Sequence, residues 1–210
     1  MLFRSETAQL NAGSFSCEYD CDFCPKEPGQ PRSYLKKEPG VLRGFNNRYD
    51  PVNQMRDRLQ SYNVNGHPTD KLEVLVLGGT WSSYKHEYQD WFIKMIYYAA
   101  NTFYDPIPLR KPGTLEEEMV INENALSRII GLTLETRPDK INNSECVRFR
   151  RFGVTRVQLG VQHTNDIILD RINRKCRNQK FLNAAKLLKQ FGFKFDIHIM
   201  PDLPKPLKSN

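Results

Sequence analysis

The sequence predicts an α/β fold in which parallel strands alternate with helices. Four segments rich in branched and apolar residues are spaced along the chain, at 71–80, 128–139, 155–163 and 193–204. Segments with helical spacing separate them. Continuous apolar strands joined by helical crossovers predict a parallel sheet that is covered on both faces or rolled into a barrel. Functional groups are then expected at the carboxyl ends of the strands.

The remaining elements follow in chain order. A first strand is predicted at "LNAGSF" (10–15), which brings the number of parallel strands to about five. The connection 25–50 is rich in Pro, Gly and Lys and is too long for structureless filler, so we expect a lid or binding loop. The segment 84–104 predicts an amphipathic helix, and 181–192 predicts a second helix that ends at a glycine.

Length and charge limit the possible functions. The chain has 210 residues and a formal net charge of +7, which predicts one domain and a partner that carries phosphates. We expect this domain to span 1–204 and a polar tail to follow at 205–210. No stretch approaches the roughly 20 apolar residues of a membrane span, and no secretory signal is present. These features favour a cytoplasmic protein without a membrane partner.

Three of the five cysteines lie within eight residues, in the stretch "SCEYDCDFCP" (16–25). Cys17, Cys21 and Cys24 are three soft ligands on one short loop, a spacing that suits an iron-sulfur cluster with one iron left open. Structural zinc is the alternative, but it generally takes four ligands in paired halves, and no second pair is present. Cys146 and Cys176 are predicted to be buried thiols.

At these cysteines the sequence resembles the radical S-adenosylmethionine enzymes. That resemblance implies a partial TIM-type (β/α) barrel with outer helices and a [4Fe-4S] cluster whose unique iron binds S-adenosylmethionine. In such enzymes the reduced cluster cleaves S-adenosylmethionine and produces a 5′-deoxyadenosyl radical. The resemblance further implies that Gly78, Gly79 and Thr80, which end the second predicted strand at 71–80, bind the methionine moiety. An ordinary strand-to-helix turn is the alternative for these glycines.

A closer resemblance is to the catalytic subunit of Elongator, the family that modifies the wobble uridine of transfer RNA. It rests on several stretches in consistent order: "SYLKKEPGVLRGFNNRYDP", "GGTW", "GLTLETRPD", "LGVQ" and "HIMPDLP". This family resemblance implies that Gln162 lies near the cofactor and that Glu135 and Arg137 line the pocket. Glu135 and Arg137 share one side of an extended segment, where they could bind a sugar hydroxyl and a phosphate, or form an ordinary ion pair.

The stretch 34–49 combines cations with flat aromatic rings, a mixture suited to phosphates and unstacked bases. A solvated surface is the alternative. The family resemblance places this stretch beside the radical site, which favours contact with RNA. The RNA-binding candidates are Lys36, Lys37, Arg43, Arg48 and Tyr49. The basic run "RFRRFG" (148–153) has helical spacing and more often marks a solvent-facing surface.

The leading hypothesis is therefore a radical enzyme that adds a carboxymethyl group to the wobble uridine, with transfer RNA as partner and acetyl-CoA as the family's donor. The family's N-terminal RNA-binding extension and acetyltransferase-like domain are not expected within 210 residues. We therefore consider a separate protein partner that supplies the missing domain. The alternative hypothesis is an Elongator-like RNA-binding or assembly module without catalysis, and a zinc-stabilised domain ranks third.

Overall fold

In the part of the chain that the structure describes, five parallel strands form one sheet in the order β1-β2-β3-β4-β5. The computed structural model describes residues 2–4, 18–25, 33–78 and 80–203. The strands are β1 (Leu2–Arg4), β2 (Lys71–Leu77), β3 (Arg128–Thr136), β4 (Arg156–Gln162) and β5 (Lys194–Ile199). The predicted α/β class and parallel sheet are confirmed, and the partial barrel is compatible with this topology. The predicted first strand at 10–15 and the tail at 205–210 lie outside the described residues.

Seven α-helices occur in the part of the chain that the structure describes. They are α1 (Pro39–Asn46), α2 (Pro51–Val64), α3 (His86–Asn101), α4 (Leu115–Asn122), α5 (Asn143–Arg151), α6 (Asp166–Arg171) and α7 (Asn178–Gln190). Short 3₁₀ turns follow β2 at Trp81–Ser83 and β3 at Pro138–Lys140. None of the helices in these described ranges combines the length and apolar character that a membrane span requires.

The core lies between the sheet and the helices that connect its strands. Phe92, Ile93 and Ile96 of α3 are fully buried against strand residues such as Leu132 and Leu134. The predicted helix at 84–104 is therefore confirmed in slightly shorter form. Its apolar positions recur every three or four residues, which places them on the face that packs against the sheet.

Residues 25–50 differ from the expected loop, because α1 occupies part of this segment. Pro39 takes the first helical position, where a missing backbone N–H costs nothing, and Val41 is fully buried. The chain leaves α1 through Arg48 and Tyr49, which have positive φ angles of 53° and 55°. Asp50 then caps α2 by accepting a hydrogen bond from the Asn53 N–H at 2.8 Å.

Candidate active site at the carboxyl ends of the strands

A cavity of about 350 Å³ opens at the carboxyl end of the sheet. The cysteine loop supplies one wall, and the ends of the strands supply the floor. Predicted site residues that line the cavity are Cys21, Cys24, Thr80, Glu135, Arg137 and Gln162. The carboxyl ends of parallel strands meet at one edge, so residues far apart in sequence converge here.

The cysteine loop is held against the segment after α6. The Asp22 N–H donates to the Ile172 carbonyl at 3.0 Å, and the Asn173 amide donates to the Asp20 carbonyl at 2.6 Å. Cys21 is buried, while Cys24 is partly exposed towards the cavity. The third predicted ligand, Cys17, lies outside the described residues.

Arg137 is the most constrained side chain beside these cysteines. It is 2 % exposed, and its guanidinium donates to both Asp139 carboxylate oxygens, at 2.9 and 3.0 Å. Its Nη1 lies 3.6 Å from Cys21 Sγ, and its planar group lies 3.5 Å from the Tyr19 ring centroid. Burial alone would lower the pKa of Arg137 and raise that of Asp139. The hydrogen bonds and opposite charges within the pair outweigh burial, so the pKa of Arg137 is raised and the pKa of Asp139 is lowered.

Arg174 brings a second guanidinium to the same thiol. It is 6 % exposed, and its Nη1 lies 3.7 Å from Cys21 Sγ, while its Nη2 donates to the Gly160 carbonyl. A Cβ on Gly160 would lie 3.1 Å from Arg174 Nη2 and 2.9 Å from Gln162 Nε2. The glycine in β4 therefore leaves room for the guanidinium. Sequence reasoning missed Arg174, because this residue follows α6 and no local pattern places its side chain beside the cysteines.

The glycine turn after β2 borders the cavity through Thr80. Gly78 is buried with a φ of 154°, a backbone conformation that residues with a Cβ rarely adopt, and Gly79 lies outside the described residues. The Tyr84 hydroxyl donates to the Gly78 carbonyl at 3.1 Å. Trp81 is 2 % exposed and anchors the turn by packing its ring edge-on against Phe92.

Gln162 ends β4 with a φ of 73°, and its carbonyl accepts a 2.7 Å hydrogen bond from the Met200 N–H. A register shift between Gly160 and Gln162 interrupts the pairing of β4 with β5 at this point. Bulges at strand ends redirect side chains. At this register shift Gln162 lies on the wall of the cavity.

A carboxylate with two polar partners forms the far wall. Glu135 accepts a 2.9 Å hydrogen bond from the Tyr34 hydroxyl, and its other oxygen lies 3.3 Å from His198 Nδ1. The interaction with Glu135 raises the pKa of His198, although burial opposes this shift. Neither Tyr34 nor His198 was predicted as a site residue.

The predicted RNA-binding residues divide into exposed and buried members. Lys36, Lys37 and Arg48 are exposed, and Lys36 Nζ lies 5.3 Å from the centroid of the half-exposed Phe45 ring. Tyr49, in contrast, is 3 % exposed, so its ring is unavailable for stacking on a base in this conformation. We call Lys36, Lys37, Phe45 and Arg48 the basic patch.

Arg43 is only partly exposed, and burial together with the charge of Arg58 lowers its pKa. The second basic run, 148–153, has its arginines engaged within the fold. Arg151, for example, pairs with Asp90 and Glu116, each at 2.8 Å. Cations of this run are therefore paired with groups of the protein itself.

The donor set fits an iron-sulfur cluster and a cofactor that carries a carboxylate. Cys21 and Cys24 are soft ligands, and the guanidiniums of Arg137 and Arg174 supply hydrogen-bond donors for sulfur or carboxylate. Among the described residues, no group of three or more His, Cys, Asp or Glu side chains could by itself hold a metal ion. Cys17 would complete the predicted set.

The family model of the radical SAM superfamily matches residues 13–205. The chain belongs to this superfamily. Family membership implies S-adenosylmethionine and an iron-sulfur cluster as cofactors.

Curated relatives are similar over most of the chain. It is 39 % identical over 189 residues to a tRNA uridine(34) acetyltransferase of Methanocaldococcus infernus, covering 88 % of this chain and 34 % of the relative. It is 40 % identical over 188 residues to the enzyme of the same name from Dehalococcoides mccartyi, covering 90 % and 39 %. Elongator complex protein 3 of Homo sapiens is 32 % identical over 189 residues, covering 88 % and 33 %.

A solved structure of the archaeal Methanocaldococcus infernus Elp3 with an N-terminal deletion superposes with a TM-score of 0.71. It is 39 % identical, and the match covers 80 % of this chain and 37 % of that one. The predicted resemblance to the Elongator catalytic subunit is confirmed. The chain spans between a third and two fifths of the length of these curated relatives.

Proposed function

We propose that this chain holds a [4Fe-4S] cluster through Cys17, Cys21 and Cys24 and carries out radical chemistry that modifies the wobble uridine of transfer RNA. The observation that carries the proposal is the convergence of Cys21 and Cys24 with the glycine turn and Gln162 around one cavity. Membership of the radical SAM superfamily and the similarity to tRNA uridine(34) acetyltransferases support it.

Each part of the cavity has a proposed task. Gly78, Gly79 and Thr80 bind the methionine moiety of S-adenosylmethionine, because glycines permit close approach to backbone amides and carbonyls. Gln162 orients the same cofactor from the β4 end. When bound, the cluster and S-adenosylmethionine supply the radical that removes a hydrogen atom. The surrounding protein holds the reacting groups together and limits the access of water.

Transfer RNA is the proposed macromolecular partner, with acetyl-CoA as the donor of the added group. Tyr34 and Leu35 line the cavity, and the basic patch begins at the next residue, Lys36. Phosphates bound by the patch would therefore lie close to the cavity mouth. The similarity to tRNA uridine(34) acetyltransferases supports both the uridine substrate and an acetyl donor.

Anaerobic reconstitution with iron and sulfide tests the cluster. We expect about four iron and four sulfide per chain and, after reduction, cleavage of S-adenosylmethionine. One zinc and no iron would refute the proposal in favour of a structural metal. Iron-loaded protein that binds transfer RNA without cleaving S-adenosylmethionine would favour the non-catalytic RNA-binding module.

Salt-dependent binding tests the RNA partner. Replacement of Lys36, Lys37 and Arg48 by Gln should weaken binding of transfer RNA and lower the salt slope by roughly one unit per lost phosphate contact. The matched control replaces Lys180, Lys186 and Lys189, which are exposed on or near α7, and removes the same charge. Equal slopes for the two triple variants would refute a specific role for the basic patch.

A further inference from the structure

Arg137 directs one nitrogen at a cluster ligand while its other nitrogens are engaged elsewhere. Nε donates to Asp139, and Nη2 donates to both Asp139 and the Arg174 carbonyl, the latter at 2.8 Å. These contacts fix the Arg137 side chain within the fold. They leave Nη1 facing Cys21 Sγ at 3.6 Å.

The surroundings hold the guanidinium in this orientation. The Tyr19 ring covers one face at 3.5 Å, and the Asp139 carboxylate fixes the plane through two parallel hydrogen bonds. Both Arg137 and Cys21 are at least 95 % buried. In such a site a charge acts on its neighbour with little screening by water.

We propose that Arg137 is a positioning residue that raises the reduction potential of the cluster by donating a hydrogen bond to the Cys21 sulfur. A donor and a positive charge beside a ligating sulfur stabilise the added electron, since hydrogen bonds to sulfur are among the determinants of cluster potential. Asp139 fixes the donor and offsets part of its charge. The inference rests on the proposed ligation by Cys21 and not on the RNA substrate.

A redox titration of the reconstituted protein, monitored by electron paramagnetic resonance, tests the inference. The electron comes from a mediated chemical reductant such as dithionite, and one electron enters each cluster. We expect Arg137→Gln to disfavour reduction about tenfold, which corresponds to a shift of about 59 mV to more negative potential for one electron. Arg137→Lys keeps the charge without the planar fork, so its potential should lie between those of Gln and Arg.

Arg110 provides the matched control. It donates to both carboxylate oxygens of the buried Glu118, each at 2.6 Å, and lies 5.3 Å from the Tyr98 ring centroid. Arg110 therefore repeats the arginine–carboxylate pair and the neighbouring tyrosine ring of the Arg137 site, in a side chain that is 36 % exposed. Tyr98 is in the last turn of α3. Asn122 contacts Asn101 at the end of that helix and accepts from the Ile129 N–H near the start of β3, so this cluster lies at the end of the sheet opposite the cavity. Arg110→Gln should destabilise the fold and leave the potential unchanged.

Asp139→Asn supplies a test of sign. Removal of the carboxylate charge should shift the potential to more positive values, opposite to Arg137→Gln.

An unchanged potential in iron-loaded Arg137→Gln would overturn the inference and leave the proposed cluster intact. If Arg137→Gln fails to assemble a cluster, Arg137→Lys and Asp139→Asn decide. The inference predicts a more negative potential in Arg137→Lys and a more positive one in Asp139→Asn. Shifts in the same direction in these two variants would indicate a structural role and refute the inference. Absence of iron from the unmodified protein would instead refute the cluster proposal itself.

Discussion

The two ends of the sheet use the same side-chain chemistry for different purposes. At the carboxyl end, Arg137 pairs with Asp139 beside the Tyr19 ring and also reaches a cysteine thiol. At the amino end, Arg110 pairs with Glu118 beside the Tyr98 ring and also donates to the neighbouring Lys111 carbonyl. The difference lies in what else each guanidinium can contact.

The amino-end network stabilises a connection between helices. Besides Arg110, Glu118 accepts hydrogen bonds from the Gly113 N–H at 2.8 Å and the Asn101 amide at 2.9 Å. It thereby joins the end of α3, the following loop and α4. An arginine–carboxylate pair thus becomes a candidate functional element only where the strand ends place it next to reactive groups.

Replacement of the predicted ligand cysteines at the carboxyl end of the sheet should have the largest effect, which is loss of bound iron. Replacing Cys17, Cys21 or Cys24 by Ala should abolish normal cluster assembly, because each thiolate serves a separate iron. We expect more than a tenfold loss of visible cluster absorption and bound iron after anaerobic reconstitution.

The controls are Cys146→Ala and Cys176→Ala, which should retain full iron content. Cys146 is fully buried in α5, where burial raises its pKa to about 11 and keeps it a thiol. Burial also raises the pKa of Cys176. Equal loss of iron in Cys176→Ala and Cys21→Ala would contradict the separation of ligands from bystanders.

Loss of the Glu118 charge should have the next largest effect, on stability rather than on iron. Breaking a fully buried pair costs about 3–5 kcal/mol, and the partial exposure of Arg110 reduces our expectation for Glu118→Gln to about 2 kcal/mol. Denaturant unfolding at neutral pH measures this free energy. Glu116→Gln is the control, because its ion pair with Arg151 is exposed and contributes at most about 1 kcal/mol.

The destabilisation should depend on pH in a defined direction. Burial opposes ionisation of Glu118, but hydrogen bonds from Arg110, Gly113 and Asn101 outweigh it and lower the pKa below the ordinary 4.5. A lowered pKa in the folded state stabilises the fold above pH 4.5 and loses that contribution as the pH falls through the folded-state pKa. A difference between wild type and Glu118→Gln that persists undiminished at the lowest pH would contradict this interpretation.

The sequence predicted the elements whose signals are periodic or local. Strands β2 to β5 lie in segments rich in branched and apolar residues, and α3 repeats apolar residues at helical spacing, so both kinds of element were predicted and are present in the structure. Helix α1 was missed because Pro39 and Gly40 resemble a loop, although proline at the first helical position was a usable signal. Tyr49 was misjudged because its burial depends on tertiary contacts that a basic, aromatic sequence does not reveal.

Side-chain networks between distant segments were the least predictable feature of the site. Cys21, Cys24, Glu135, Arg137 and Gln162 were named from motifs, and all of them line the cavity. The side chains that contact them were not singled out, although Tyr19, Tyr34 and His198 lie within the quoted stretches at 16–25, 33–51 and 198–204. They include the guanidinium of Arg174, the ring of Tyr19, the hydroxyl of Tyr34 and the imidazole of His198.

Disruption of the His198–Glu135 pair should have the smallest effect, and this effect should be confined to the pKa of His198. Glu135 raises the pKa of His198 above the ordinary 6.5 through a hydrogen bond, so the protonated pair stabilises the fold below pH 6.5. That contribution is lost as the pH rises through the folded-state pKa. Because His198 is partly exposed, the change should be seen in its own titration rather than in global unfolding.

Nuclear magnetic resonance titration of the His198 ring, assigned with His198→Gln, measures this pKa directly. Glu135→Gln should lower the His198 pKa, since it removes both the charged acceptor and the main cause of the upward shift. Asp196→Asn should lower it less, because Asp196 is a weaker cause of the shift and pairs with Arg156 at 2.6 Å. Larger movement in Asp196→Asn than in Glu135→Gln would show that the cavity carboxylate does not control this imidazole. The contrast between ends would then rest on the Arg137 and Arg110 clusters alone.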